Sequence, residues 1–439
     1  MSPARPGPAP SGGAPRSAPP RGAAPRNPAP DTLVIRRQTA RDIRNTSRFA
    51  VLRGIYTLGT PTRQELVALT GLSFATVANV VTELIRVGML VEAEREQSNG
   101  GRPRARLRVP AERGVLIGVD VAETYVHVDA FDAALTRLSR HQRDLVDRSE
   151  PGYVLGEVAD CIREAIVANP RQVLGVGVSM PGQVEPSAGV SVFAPNWRWA
   201  DVPVQRMLRD LLPVPINVDN PLKATTVAEL WFGAGRGVYD LVTVNLGTGV
   251  GAGIAFGGEL IRGVSNNAGE WGHTTLIMDG RRCRCGRRGC VEAYVGVPGI
   301  IATLTEEFPE HRYGGDDQQR FVANVRAGLE AGDPEAGWLI ERLSHQLGEA
   351  LANLVNLLNP ERIILTSWTA TALGAWLLPP TASRMLAQSI AGSATASQLV
   401  VSEIGENPVG LGMATLALEH YLEEVGLPAR RGFSARSDG

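Results

Sequence analysis

Apolar residues recur at helical spacing between Arg48 and Tyr56, with Phe49, Val51, Leu52 and Ile55 on one face, until Gly59 breaks the pattern. Thr62-Arg-Gln-Glu65 reads as a capping box, in which the threonine hydroxyl caps a free amide and the glutamate reaches back. It opens a second helix through Leu66 and Leu69. Gly71-Leu72-Ser73 is a tight turn. Ser73 caps a third helix, Phe74 to Val87, with Val77, Val80, Val81 and Leu84 inward. Met89 to Glu94 reads as a strand, Gln97 to Pro103 as a turn and Ala105 to Val109 as a return strand. Helix, helix-turn-helix and wing is the order of a DNA-reading module. On the third helix, Ser73, Ala75, Thr76 and Asn79 are expected to face the major groove. Asparagine can contact adenine bidentately there, and the methyls of threonine and alanine can meet that of thymine. Phe74 is either exposed beside them or packed inward. Arg102 and Arg104 at the wing tip suit a narrow, electronegative minor groove, with plain phosphate contact as the alternative.

From Gly114 the pattern changes. Val115 to Val121 and Val126 to Phe131 read as strands, Gly152 to Ala168 as a helix, and Val173 to Val178 and Ile216 to Val218 as strands. Thr225 to Phe232 is helical. Leu241 to Leu246 and Gly251 to Phe256 pair around a Gly-rich turn. Trp338 to Leu358 is a long helix, Arg362 to Thr366 a strand, and a Gly-rich turn from Gly405 leads into a helix ending at Glu424. Strands alternating with helices imply a layered α/β architecture.

The 439 residues allow two or three domains, and 44% apolar residues supply sizeable cores. No apolar run approaches the roughly 18 residues that suggest a membrane span. Nothing at the N-terminus reads as a secretory signal, so a cytoplasmic protein without membrane partners is expected. Residues 1–30 hold ten prolines among Ala, Gly, Ser and Arg, a composition that buries too little apolar surface to offset ordering. The net charge of −1 is unevenly spread: residues 1–110 carry 17 arginines and no lysine against seven acids. A basic head on an acidic body suits nucleic acid at one end. Arginine richness by itself weighs little, because the whole chain has 43 arginines and one lysine, Lys223.

Three of the four cysteines fall within eight positions, in the run His-x9-Cys-x-Cys-x4-Cys formed by His273, Cys283, Cys285 and Cys290. Thiolate and imidazole are the ligands Zn²⁺ prefers, and four of them close a tetrahedron with no position for water. A structural Zn²⁺ is therefore expected. The alternative is one disulfide with a spare thiol, although Cys161 is too isolated to suggest a disulfide framework. Carboxylates at Glu270 and Glu292 flank the ligands, and a metal knot would hold them rigidly for recognition of a polyol.

On this run, on Gly247-Thr248-Gly249-Val250-Gly251-Ala252-Gly253 and on Gly269-Glu270-Trp271-Gly272-His273, the chain resembles the ROK family of repressors, open reading frames and kinases over roughly residues 40–425. The resemblance implies an actin-like two-lobed sugar-kinase fold of α/β class, preceded here by a winged helix-turn-helix. Members with that module are usually sugar-responsive regulators, and members without it are sugar kinases. The expected layout is a disordered tail over 1–30, the winged module over 31–110, a first α/β lobe over 111–225, a second lobe with the zinc site over 226–427 and a disordered tail over 428–439.

The resemblance also locates the chemistry. Family kinases take their base from the Asp of an Asn-Asp pair after a strand; here Val218-Asp219-Asn220-Pro221 puts Pro221 in that slot. Proline cannot accept a proton, and a missing base costs about 10²–10⁴-fold in rate. The first phosphate loop, Asp-x-Gly-Gly-Thr in the family, is Asp120-Val-Ala-Glu-Thr124, and Glu123 there repels polyphosphate. The Gly-Gly under the adenosine is replaced within Leu365-Thr-Ser-Trp368. The second phosphate loop survives at Gly247–Gly251, with a plain hairpin turn as its alternative reading. Asn220, Glu270, His273 and Glu292 match positions that contact sugar hydroxyls, and Asn196 is a weaker candidate. Their alternatives are solvated carboxylates and a turn-capping asparagine. Asp219 receives no role, and Lys223 reads as an ordinary exposed lysine, with pairing to Asp219 or Glu123 as the alternative.

The expectation is a non-enzymatic, sugar-responsive regulator, a repressor by preference. It would be a homodimer or homotetramer binding operator DNA and a sugar or sugar phosphate. The competing readings are an active ATP-dependent sugar kinase with a DNA-binding appendage, and a protein that senses a phosphotransferase component.

Overall fold

Local signals dictate the front of the chain. The computed structural model describes residues 40–93, 105–394 and 396–427. Both expected tails, the wing turn, Arg102 and Arg104 lie outside the described residues. Helices α1 (Ala40–Leu58), α2 (Arg63–Thr70) and α3 (Phe74–Arg86) are followed by a short antiparallel pair, β1 (Val91–Glu92) and β2 (Leu107–Arg108). The capping box forms: the Thr62 hydroxyl accepts from the Glu65 amide at 3.3 Å, and the Glu65 carboxylate accepts from the Thr62 amide at 2.7 Å. Val77, Val80, Val81 and Leu84 of α3 are buried. Helix α1 starts well before Arg48, because polar contacts hold its first turns where apolar periodicity is absent. Arg48 is buried and pairs with Glu83 of α3 and with Asn45.

The body consists of two lobes. The first builds a five-stranded sheet in the order β10-β6-β3-β4-β5 from β3 (Val115–Val121), β4 (Tyr125–Asp132), β5 (Arg137–Asp144), β6 (Val173–Ser179) and β10 (Ile216–Asp219). Helix α4 (Pro151–Ala168) packs on it. A three-stranded antiparallel sheet, β7 (Gln183–Glu185), β8 (Val190–Ala194) and β9 (Trp199–Val202), and helix α5 (Val204–Leu211) complete this part. Helix α6 (Pro221–Phe232) follows β10. The second sheet runs β13-β12-β11-β14-β15, from β11 (Leu241–Leu246), β12 (Val250–Phe256), β13 (Glu259–Leu260), β14 (Arg362–Thr366) and β15 (Gln398–Val401). Around it lie α7 (Glu292–Val295), α8 (Val297–Glu307), α9 (Gln318–Glu330), α10 (Pro334–Leu358), α11 (Trp368–Gln388) and the short α12 (Ala391–Ala394).

The last helix, α13 (Pro408–Glu424), was expected with the second lobe but packs on β3 and β6 of the first sheet and on α6. The approach is close. A β-carbon on Gly412 would sit 1.9 Å from the Ala224 carbonyl oxygen, so only glycine lets α13 lie against α6. Helix α6 in turn packs on β11 and β12, so the α6–α13 pair fills the seam between the sheets.

Several elements depart from the sequence pattern for physical reasons. Strand β5 is mostly polar and largely solvent-facing, so it shows no apolar alternation. Helix α11 carries Pro379 and Pro380 in its interior, which reads as a break. Helix α6 begins at Pro221 instead of Thr225, because Asn220 caps it and proline suits the first helical position.

One apolar core is continuous from the DNA module into the body. It joins Phe49, Leu52 and Ile55 to Trp231 of α6 and to Leu418 and Leu422 of α13. Separate cores fill the first lobe and the second. Among the described residues no helix is long and apolar enough to cross a membrane. Thr62→Ala removes one half of the capping box and should lower the free energy of urea unfolding by about 1 kcal/mol. An unchanged midpoint would show that the box does not hold α2.

Candidate functional site

Two glycines shape the second-lobe side of the cleft, the place where the two lobes face each other and Arg284 approaches Glu123. Gly269 has φ +100°, and a β-carbon there would lie 1.9 Å from the Ala252 carbonyl oxygen; at Gly272 it would lie 1.9 Å from the Val250 carbonyl oxygen. The segment between them therefore lies flat on β12 and forms a turn of 3₁₀ helix, Trp271–His273, with Trp271 buried beneath. Glu270 and His273 are thus both presented from a rigid base, 3.9 Å apart between carboxylate and Nε2.

The other imidazole nitrogen faces the cysteines. His273 Nδ1 lies 3.7 Å from Cys283 Sγ, Cys285 Sγ lies 3.7 Å from Cys290 Sγ, and the four ligand atoms all fall within 4.8 Å of one another. A tetrahedron built on metal–sulfur bonds of about 2.3 Å has edges of about 3.8 Å. The donor set and its spacing therefore fit a four-coordinate cation. No disulfide forms among these cysteines. Burial pushes the Cys283 thiol up to about 12 and raises that of Cys290; a bound cation reverses that preference by favouring thiolate.

The residue between the first two cysteines, Arg284, carries no signal of its own in the sequence, although its place inside Cys-x-Cys aims it out of the knot. It donates to both oxygens of Glu292, at 2.9 and 3.2 Å, and to the Thr248 carbonyl at 3.1 Å. Glu292 also accepts from the Val250 amide at 3.0 Å. Both of its oxygens are engaged before any ligand arrives. Burial works to raise the Glu292 carboxyl, but the hydrogen bond and charge of Arg284 outweigh it and hold the group below the usual carboxylate range.

Arg284 also spans the cleft. Its guanidinium lies 3.9 Å from Glu123, in the β3–β4 turn of the first lobe. Glu123 is held in addition by Asn196 Nδ2 at 3.0 Å and by Arg148 at 3.5 Å. The place of the first phosphate loop is thus filled by a network of side chains, and Asn196 serves it.

The surviving loop is similarly engaged. The Gly249 carbonyl accepts from the Gly247 amide at 3.1 Å and from Asn245 at 3.0 Å, and the Thr248 hydroxyl bonds Gln318 at 2.7 Å. Ser367 keeps a φ of +96°, a region that favours glycine. The indole nitrogen of Trp368 stands 3.9 Å from where a β-carbon on Gly247 would be, beside the loop.

Across the cleft, Asn220 caps α6 by accepting from the Leu222 amide at 2.9 Å and donates to the Gly182 carbonyl at 2.8 Å. Pro221 is the first residue of α6. Asp219 serves the packing of the two lobes. It is buried, ion-paired to Arg262 at 2.7 Å and bonded to Asn266 at 3.2 Å. Lys223 corrects an expectation. It is 3% exposed and donates to the Ala268 carbonyl at 2.7 Å. Burial lowers its pKa, opposed by the charges of Asp219 and Glu270.

On α3, Ser73, Ala75 and Asn79 are exposed and Thr76 is half-buried, while Phe74 is 55% exposed and not packed inward. The Ser73 hydroxyl is used as the helix cap, 3.1 Å from the Thr76 amide.

A helix-turn-helix joined to a two-lobed α/β body is the architecture of this chain. Residues 116–420 match the ROK family model, and the chain belongs to the ROK family. It is 27% identical over 388 residues to a xylose repressor of Caldicellulosiruptor bescii, covering 87% of this chain and 97% of that protein. It is 28% identical over 320 residues to a glucokinase of Halalkalibacterium halodurans, covering 70% and 97%. Among solved structures, a ROK family transcriptional regulator, a homologue of the E. coli MLC protein, superposes with a TM-score of 0.73 at 22% identity, covering 88% and 99%. The repressor alignment is longer than the kinase alignment by about the size of the DNA module.

Arg284→Met leaves the Glu292 carboxylate buried without its partner and should cost on the order of 2 kcal/mol near neutral pH. The depressed carboxyl contributes stability above the ordinary carboxylate range and loses it as pH falls. The gap between variant and wild type in unfolding experiments should therefore narrow toward acid. A pH-independent gap would assign the loss to packing.

Proposed function

We propose that this chain is a sugar-responsive DNA-binding repressor whose kinase-like body has become a sensor. The observation that carries the reading is the pairing of a helix-turn-helix with Pro221 at the slot where a phosphoryl-transfer base is required. Three neighbouring carboxylates are already held in ion pairs. Asp219 is paired with Arg262, Glu292 with Arg284, and Glu123 with Arg148 and Arg284. Glu123, with the Asn196 and Arg148 side chains bound to it, fills the turn where the first phosphate loop would lie. The kinase reading is disfavoured on these grounds, and the relatives named as repressors support a regulator that is not an enzyme.

In this reading the sugar lies against Glu270, the Nε2 of His273 and Asn220, with Asn196 and Glu292 bordering it through Glu123 and Arg284. The cation is Zn²⁺, held by His273, Cys283, Cys285 and Cys290; it fixes the ring of His273 and does no chemistry itself. Asn79, Ala75 and Thr76 read the major groove, Ser73 starts their helix, and Arg102 and Arg104 contact the minor groove or phosphate. The assembly is a homodimer or homotetramer in the cytoplasm. Sugar shifts the population between geometries with different spacing of the recognition helices.

Duplex DNA from upstream of the protein's own gene, titrated by fluorescence anisotropy, should form a specific complex whose affinity changes with D-xylose or D-glucose. Asn79→Ala should weaken that complex by about 1–3 kcal/mol without altering sugar affinity. Absence of any specific complex, with and without sugar, would sink the repressor reading. Metal analysis should return one Zn²⁺ per chain, lost in Cys285→Ser together with the sugar response. Less than one equivalent in the wild type would remove the metal from the site.

A further inference from the structure

Helix α6 touches the ligand cleft at one end and the DNA module at the other. At its start, Asn220 caps the helix and bonds the Gly182 carbonyl. The Lys223 ammonium bonds the Ala268 carbonyl, two residues before Glu270. At its end, the Leu230 carbonyl accepts from Arg53 of α1 at 2.7 Å, and the Trp231 carbonyl accepts from Thr57 of α1 at 3.3 Å. Phe49 and Tyr56 of α1 pack on the Trp231 ring, at 5.8 and 5.6 Å between centroids. The Tyr56 hydroxyl ties the same helix to the Ala133 carbonyl at 2.8 Å.

The helix between these ends is enclosed. All nine residues from Lys223 to Trp231 are buried. A helix of this length spans about 18 Å and moves as a rigid rod. A cationic guanidinium at the C-terminal carbonyls also sits with the helix dipole. At the other end, movement of the Ala268–His273 loop away from α6 would leave a buried ammonium without its acceptor, a costly state. The loop and the helix therefore move together.

We infer that α6 is a push-rod between the cleft and the DNA-reading module, and that Lys223 and Arg53 are positioning residues fixing its two ends. This rests on the repressor reading for its purpose, but the mechanical coupling can be measured without DNA or sugar. Hydrogen exchange should be compared for wild type, Lys223→Met and Arg53→Ala. Lys223→Met should speed exchange in α1 roughly five- to tenfold, the factor one lost hydrogen bond supplies, while leaving α4 unchanged. Arg53→Ala should do the reverse, loosening residues 266–273 from the opposite end. Effects confined to the neighbourhood of each substitution would overturn the inference. In a parallel arm, Arg53→Ala should keep sugar-induced stabilisation of the melting temperature by D-xylose or D-glucose while losing most of the sugar-induced change in DNA affinity. If the wild type binds no duplex, the repressor reading falls, and the exchange result still decides whether α6 couples the two regions.

Discussion

A carboxylate taken out of water must be matched, and the cleft is organised around the matching of Glu292. Arg284 reaches it from between two cysteines, and the Val250 amide reaches it from the sheet. This one ion pair joins the cluster of His273 and three cysteines, the β11–β12 loop and helix α7. The same guanidinium extends to Glu123 in the other lobe. An exposed ion pair would contribute little; a buried acceptor with a single cationic partner makes the partner obligatory.

The second constraint is the seam between the lobes. Helices α6 and α13 meet across it through Gly412, and the apolar core continues without interruption into α1. The DNA module is thus seated on the body instead of tethered to it. In such an arrangement, α1 shares its buried side chains with α6 and α13 of the body.

Much of this was legible in the chain. The capping box at Thr62 and Glu65, the apolar stripe of α3 and the ligand run from His273 to Cys290 each carry a local signature, and each signature needs only neighbouring residues to work. What was not legible depended on residues distant in sequence. Arg284 acquires a role only when Glu292 and Glu123 are brought to it. Lys223 reads as a surface residue because lysine usually is one, and its burial becomes tolerable through the Ala268 carbonyl and the charges of Asp219 and Glu270, which the sequence does not bring together. Asp219 receives no role from the sequence, since its ion-pair partner Arg262 approaches from the other lobe. Helix α11 was hidden by Pro379 and Pro380, and strand β5 by its polar faces. The C-terminal helix follows the second lobe in the chain but packs on the first sheet, because chain order does not record which sheet a helix returns to.

The interior position of Lys223 has a consequence for the outside of the molecule. It is the only lysine in the chain, so apart from histidine the cationic side chains at the surface are all guanidiniums. These stay charged at any physiological pH and grip phosphate through paired donors. Amine acylation, which many DNA-binding proteins undergo as a way of loosening that grip, finds no side-chain nitrogen to modify here. The one amine side chain that acylation could neutralise is enclosed in the body, so that route to lower cationic charge is closed.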